Sequence, residues 1–172
     1  MRDESLENLI KITQEILQVK YPSAEFAFLA GSIVRGEGTA FSALDIVVIF
    51  ENLTNAYRES FYFQEFPVET FVHTVETLNY FFEIDAKDGI PSLQQMVAEG
   101  IEVPNKCELS AKLKKIANEF LNNPPQISDD ELRTFRYGIT DLVNDIREPR
   151  SKSELTALSA QCFTNQYQIA IG

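Results

Sequence analysis

Tryptophan is absent from this 172-residue chain, histidine occurs once and cysteine only twice. A single histidine, His73, cannot build a multi-histidine metal centre or a set of His-based acid/base partners. Cys107 and Cys162 lie far apart and form no Cys-x-x-Cys unit, so neither a zinc knuckle nor a disulfide framework is expected, and a reducing cytoplasm fits best. Positive charge is also scarce. Against 26 Asp and Glu there are 15 Lys and Arg, a net charge of -11, and so acidic a chain repels a phosphate backbone and disfavours nucleic-acid partners. No stretch approaches the ~18 apolar residues of a membrane span, and Asp3, Glu4 and Glu7 are the opposite of a signal peptide's basic start. Seven Gly and seven Pro are too few for a low-complexity chain.

The remaining composition, 44% hydrophobic and 24% charged with 13 Phe, is that of a globular protein. At ~150 residues per domain the length allows one domain, or one plus part of a second. Leu6, Leu9, Ile10, Thr13, Ile16 and Leu17 recur at helical spacing and predict an amphipathic helix over about residues 4–19, stopped by Tyr21-Pro22. Ala24 to Leu29 reads as a short strand. Leu44 to Phe50 is apolar at every position but Asp45, the pattern of a strand covered on both faces. Tyr57 to Phe63 and Pro67 to His73, with three residues between them, read as an antiparallel hairpin, which makes the sheet mixed.

Thr74 to Ala86 and Ser92 to Glu99 are expected to be helical, and beyond them the strand signal disappears. Leu109, Leu113, Ile116, Ala117, Phe120 and Leu121 form one helical stripe, and Leu132, Phe135, Ile139, Leu142, Val143 and Ile146 another. Between them Pro124-Pro125 breaks the chain and Ser128-Asp129-Asp130-Glu131 is a capping box. A third helix starts near Ser151 and is still running at Tyr167 to Ile171, with no later helix to cover its apolar face. That predicts either a shortened chain or a homo-oligomer formed through this C-terminal helix. The expected class is α+β, with a mixed-sheet unit over residues 1–104 and a helical unit over 105–172.

The segment from Gly31 to Val48 carries the chemistry. A Gly31-Ser32 turn leaving a strand and entering a short helix presents backbone N–H groups and a hydroxyl at the positive end of a dipole, a way to hold phosphate. Arg35, Gly36, Gly38, Thr39 and Ser42 follow, and then Asp45 stands in an apolar strand. A lone buried carboxylate costs several kcal/mol unless it is paired, hydrogen-bonded or bound to a cation. Alternation puts Glu69, Phe71 and His73 on one face of a later strand, and in the right register Asp45 and Glu69 face each other. Two carboxylates beside a phosphate-binding turn suit Mg²⁺, whose other ligands are water and nucleotide phosphate.

At these residues the sequence resembles the nucleotidyltransferase superfamily related to DNA polymerase beta. It looks most like the branch of small bacterial nucleotidyltransferases and antibiotic adenylyltransferases, in which an α+β domain precedes a helical one. Gly31-Ser32, Arg35, Gly36, Thr39 and Ser42 match the family pattern, Asp45 matches the second aspartate of its Asp-x-Asp pair, and Glu69 fits its third acid. The motif resemblance spans roughly residues 5 to 90 and beyond that only the general layout. One departure stands out, because the first aspartate would fall at position 43, where this chain has Ala43. Two origins are open for it: a single inactivating substitution in an active parent, or natural degeneration of a nucleotide-binding fold. Glu37 is a candidate substitute ligand.

The resemblance implies transfer of a nucleoside monophosphate, AMP from ATP, to a hydroxyl of a small molecule or protein, with Mg²⁺ on Asp45 and Glu69. Gly31, Ser32, Arg35, Thr39 and Ser42 would serve the nucleotide. An acid of the helical half is the general base in the adenylyltransferases this resembles, and Asp141 or Asp145, four residues apart on one helix face, could play that part. The plainer reading makes them a solvated face pairing with Arg133 or Arg147. His73 is either a strand-end residue or a group that reaches the nucleotide. The competing class is a module that binds nucleotide or a partner protein without chemistry, regulatory or toxin-antitoxin-like.

Overall fold

A computed structural model describes residues 5–39, 42–124 and 128–169, with side chains described except at position 88 and at 161–169. Ala40, Phe41, Pro125, Cys162 and the apolar tail expected at Tyr167 to Ile171 therefore lie outside the described residues or side chains. The chain forms two compact units, Met1–Asp85 with Pro91–Asn122, and Ala86–Ile90 with Asn123–Gly172. The element order is α1 (Leu6–Lys20), β1 (Phe26–Ala30), β2 (Leu44–Phe50), β3 (Tyr57–Phe63), β4 (Phe66–Thr74), α2 (Val75–Asp88), α3 (Ser92–Glu99), β5 (Ile101–Val103), α4 (Glu108–Asn122), α5 (Asp129–Arg147) and α6 (Lys152–Ile169).

The first unit is built on a five-stranded sheet in the order β3-β4-β2-β1-β5. β2 and β4 run parallel, while β1 with β2, β1 with β5 and β3 with β4 run antiparallel, so the sheet is mixed as the sequence predicts. One face carries Ala27, Leu29, Leu44, Ile46, Val48 and Val72 against Leu9, Ile12 and Ile16 of α1. The other carries Phe26, Phe28, Val47 and Ile49 against Leu78, Phe82, Leu93, Val97, Leu113 and Ala117 of α2, α3 and α4. Helices on both faces explain why β1 is buried at all five positions and why neither β1 nor β2 alternates in polarity. Each such side chain contributes about 1.5–3 kcal/mol on leaving water.

β5 was not foreseen: with three residues and a central Glu102, it is too short to show a period, and only its pairing with β1 defines it. Glu102 meets Lys114 of α4 at 3.4 Å. α4 thus belongs to the first compact unit, its Leu113 and Ala117 fully buried on the sheet.

The edge strand β3 is fastened to α1 on the α1 face of the sheet. The Tyr21 hydroxyl donates to Glu59 Oε1 (2.5 Å) and lies 2.8 Å from Thr70 Oγ1, while Lys20 Nζ meets Glu59 Oε2 at 3.0 Å. The hydrogen bond from Tyr21, together with Lys20, holds the Glu59 carboxyl below its ordinary range. Because strand side chains alternate, anchoring Glu59 on one face turns Arg58 and Ser60 to the other.

In the second unit α5 packs on α6, and Leu142 is the buried residue of α5. The predicted capping box is present: Glu131 N–H donates to Ser128 Oγ (3.3 Å) and Ser128 N–H donates to Glu131 Oε2 (2.9 Å). No helix among the described residues is long and apolar enough to cross a membrane.

Candidate functional site

The first rungs of the parallel β2/β4 ladder bring two acids together, since Asp45 is the direct partner of Glu69. Partners in register share a sheet face, so Asp45 and Glu69 point to the side that also carries Val47 with Phe71 and Ile49 with His73. Asp45 is half-buried, and burial first, then the neighbouring charge of Glu69, push its carboxyl up to about 6; Arg58 and Arg35 pull the other way. Glu69 is better compensated. Arg58 Nη2 meets its Oε1 at 2.5 Å, the Ser60 hydroxyl donates to the same oxygen at 3.2 Å, and the Arg58 guanidinium lies over the Phe71 ring, 4.8 Å from its centroid.

Gly31 follows β1, whose last residue Ala30 pairs with Asp45. A Cβ built on Gly31 would fall 2.2 Å from Asp45 Oδ2, and the residue sits at φ +89°. Backbone and carboxylate are therefore in contact, and only glycine combines that approach with that conformation. The chain then departs from the expected short helix. Ser32 to Gly36 form successive turns, in which Arg35 N–H donates to Gly31 C=O (3.3 Å), Gly36 N–H to Ile33 C=O (3.0 Å) and Glu37 N–H to Ser32 C=O (2.9 Å). Gly36 at φ +76° takes the chain out of the right-handed helical region after one turn. A phosphate here would meet the Gly31-Ser32 backbone and the half-exposed Ser32 side chain rather than the dipole of a full helix.

The other residues of the motif mostly hold one another. Arg35 Nε meets Glu37 Oε2 at 2.9 Å and its Nη1 meets Glu99 Oε2 at 3.3 Å, so Glu37 is turned to Arg35 and not toward position 43. Thr39 N–H donates to Ser42 Oγ (2.8 Å) and Ser42 N–H to Thr39 C=O (3.0 Å), just ahead of Ala43 and β2. Ala43 is half-buried two residues before Asp45.

His73 is far from these groups. It stands four residues beyond Glu69 on β4, roughly 13 Å along the strand at ~3.3 Å per residue, and so does not reach the Asp45–Glu69 end of the face. It is buried, its Nδ1 lies 3.3 Å from Thr77 Oγ1, its ring is edge-on to Phe81 at 5.4 Å, and burial depresses its pKa from 6.5 to about 4. The native state therefore resists a proton that the unfolded chain accepts. Stability supplied by the neutral ring is complete above pH 6.5 and is lost as pH falls toward 4. His73→Gln is expected to remove up to roughly 3 kcal/mol of that acid sensitivity, read as the difference between urea midpoints at about pH 7 and about pH 4.5 in the two proteins.

Asp141 and Asp145 are exposed on α5 in the second unit, and Arg133, a suggested partner, pairs instead with Asp130 at 3.2 Å. Sequence reasoning missed Arg58, Ser60 and Glu99. Arg58 and Ser60 belong to an exposed edge strand with no motif, and only the β3/β4 register, Ser60 opposite Glu69, brings them to the acids.

The donor set decides what cation fits. Asp45 and Glu69 give hard oxygen ligands suited to one Mg²⁺ completed by water and phosphate. Among the described residues no group of three or more His, Cys, Asp or Glu side chains could hold a metal.

No family model and no curated protein matches the chain. Among solved structures, a nucleotidyltransferase-like protein from Exiguobacterium sibiricum 255-15 is similar to it at a TM-score of 0.47 and 13% identity, over 91% of this chain and 52% of that one. The chain spans about half the length of that protein.

Proposed function

We propose that the first unit binds a nucleoside triphosphate with Mg²⁺ and that its chemistry is transfer of the nucleoside monophosphate, AMP from ATP, to a hydroxyl of a small molecule or protein. The observation that carries this reading is the three-way meeting of Gly31, Asp45 and Glu69: adjacent strands put the carboxylates side by side, and the glycine backbone lies against one of them. Gly31 and Ser32 hold the phosphates, Arg35 adds positive charge beside them, and Thr39 with Ser42 keeps the approach to β2 in place. Asp45 and Glu69 would hold Mg²⁺, which supplies neutralisation of the phosphate charge.

The acceptor oxygen attacks the α-phosphorus, the bond to the bridging oxygen breaks, and pyrophosphate leaves with the electron pair. The hydroxyl proton passes to a carboxylate of the chain, Glu69. A calorimetric titration of ATP tests the binding half. Magnesium-dependent binding is expected, weakened at least about tenfold by Asp45→Asn through loss of a charged ligand. Absence of binding with and without magnesium would end the nucleotide reading.

A second reading is favoured by Ala43 and by the Arg58–Glu69 pair, since a carboxylate held by a guanidinium at 2.5 Å is a preoccupied ligand. It keeps nucleotide or partner binding and drops the chemistry, as in a regulatory or toxin-antitoxin-like module. Binding of ATP without pyrophosphate release, unchanged after Ala43→Asp, would favour it.

A further inference from the structure

We propose that Arg58 occupies, beside Glu69, the charge-compensating place that a second divalent ion would take, so that the site holds a nucleoside triphosphate with one divalent ion and one guanidinium. The inference rests on the nucleotide-binding reading above and deepens it. Two ions about 4 Å apart call for more oxygen donors than two carboxylates supply, and the family resemblance places its further aspartate at position 43, where this chain has Ala43. The two remaining acids, Asp45 and Glu69, cannot both surround one ion and supply a second. Left with one ion, the site would face the several negative charges of a triphosphate with two carboxylates already in place. A further cation would offset that repulsion.

Arg58 suits that role in position, charge and support. Its Nη2 is 2.5 Å from Glu69 Oε1, on the sheet face that Asp45 shares. The side chain is 61% exposed where Glu69 is 25% exposed, so the guanidinium is open to solvent and free to meet a ligand. A guanidinium carries five N–H donors in a planar fork, more than one carboxylate oxygen can accept, and the fork suits phosphate oxygens. The Phe71 ring beneath it, at 4.8 Å, and the anchoring of β3 through Glu59 hold its position without drawing off its charge. Arg35 is a poorer candidate, because Glu37 and Glu99 both already pair with it.

The test is equilibrium dialysis of the whole chain against Mn²⁺ and the α,β-methylene analogue of ATP, counting both metal and nucleotide retained per protein. Wild type is expected to retain about one Mn²⁺ per nucleotide. Arg58→Gln should keep that ratio but bind the analogue about tenfold more weakly, and Arg58→Lys, which restores the charge without the fork, should recover part of the loss. Two Mn²⁺ per nucleotide in wild type, or unchanged analogue affinity in Arg58→Gln, would overturn the role of Arg58 and leave the nucleotide reading standing. No retention of the analogue by wild type under any condition would instead overturn the nucleotide reading itself. Arg58 is exposed, and thermal melts of both variants within a few degrees of wild type, about what a surface change produces, confirm that a lost affinity is not a lost fold.

Discussion

Ala43→Asp is expected to raise pyrophosphate release from MgATP by about a hundredfold or more, provided an acceptor is present. The residue lies two positions before Asp45, next to the hydrogen-bonded pair Thr39 and Ser42, and it is half-buried. A carboxylate there would join Asp45 and Glu69 as a third hard oxygen donor group for divalent ions. A hundredfold in rate requires only about 2.7 kcal/mol of added transition-state stabilisation. The Arg58 side chain, mostly exposed, can leave Glu69 when a second ion arrives. Without metal the same variant carries three neighbouring acids and is expected to melt lower than wild type in chelator and to regain that loss with magnesium. A variant that binds MgATP as wild type does yet releases no pyrophosphate would sink the catalytic reading and leave the binding module.

Gly31→Ala is expected to be the most damaging small substitution in the site, costing about 2–4 kcal/mol of stability and abolishing nucleotide binding. The cost has two sources that can be separated. At φ +89° an L-residue is strained by about 1–2 kcal/mol, and the new methyl would lie 2.2 Å from Asp45 Oδ2, so the carboxylate must turn away from the glycine backbone. Gly36→Ala provides the control, because Gly36 is at φ +76° with nothing within 4 Å of the point its Cβ would occupy, and so bears the conformational cost alone. Urea unfolding of both variants measures the difference. If the two are equally destabilised, the Gly31–Asp45 contact contributes nothing. In a double-mutant cycle, Gly31→Ala should cost less in an Asp45→Ala background, where the opposing carboxylate is gone.

Elements whose residues interact mainly with their own neighbours can be read directly from the chain. α1 and α3, the apolar run of β2, the β3/β4 hairpin and the Ser128 capping box were all legible, because helix period, strand length, turn residues and cap chemistry are local properties of the chain. Asp45 was legible as an anomaly, a charge in an apolar run that needs a partner. Which distant residues become neighbours depends on the folded sheet. The parallel register of β2 and β4 set Asp45 against Glu69 and took His73 to the far end of the strand, and the β3/β4 register carried Arg58 and Ser60 to the acids. Pairing with β1 made a strand of Ile101 to Val103, and the segment after Gly31-Ser32 formed turns closed by Gly36 in place of the expected helix. Period, cap and turn act over a few residues, whereas register and charge pairing are settled by the packing of the whole sheet, and no local pattern in the sequence records them.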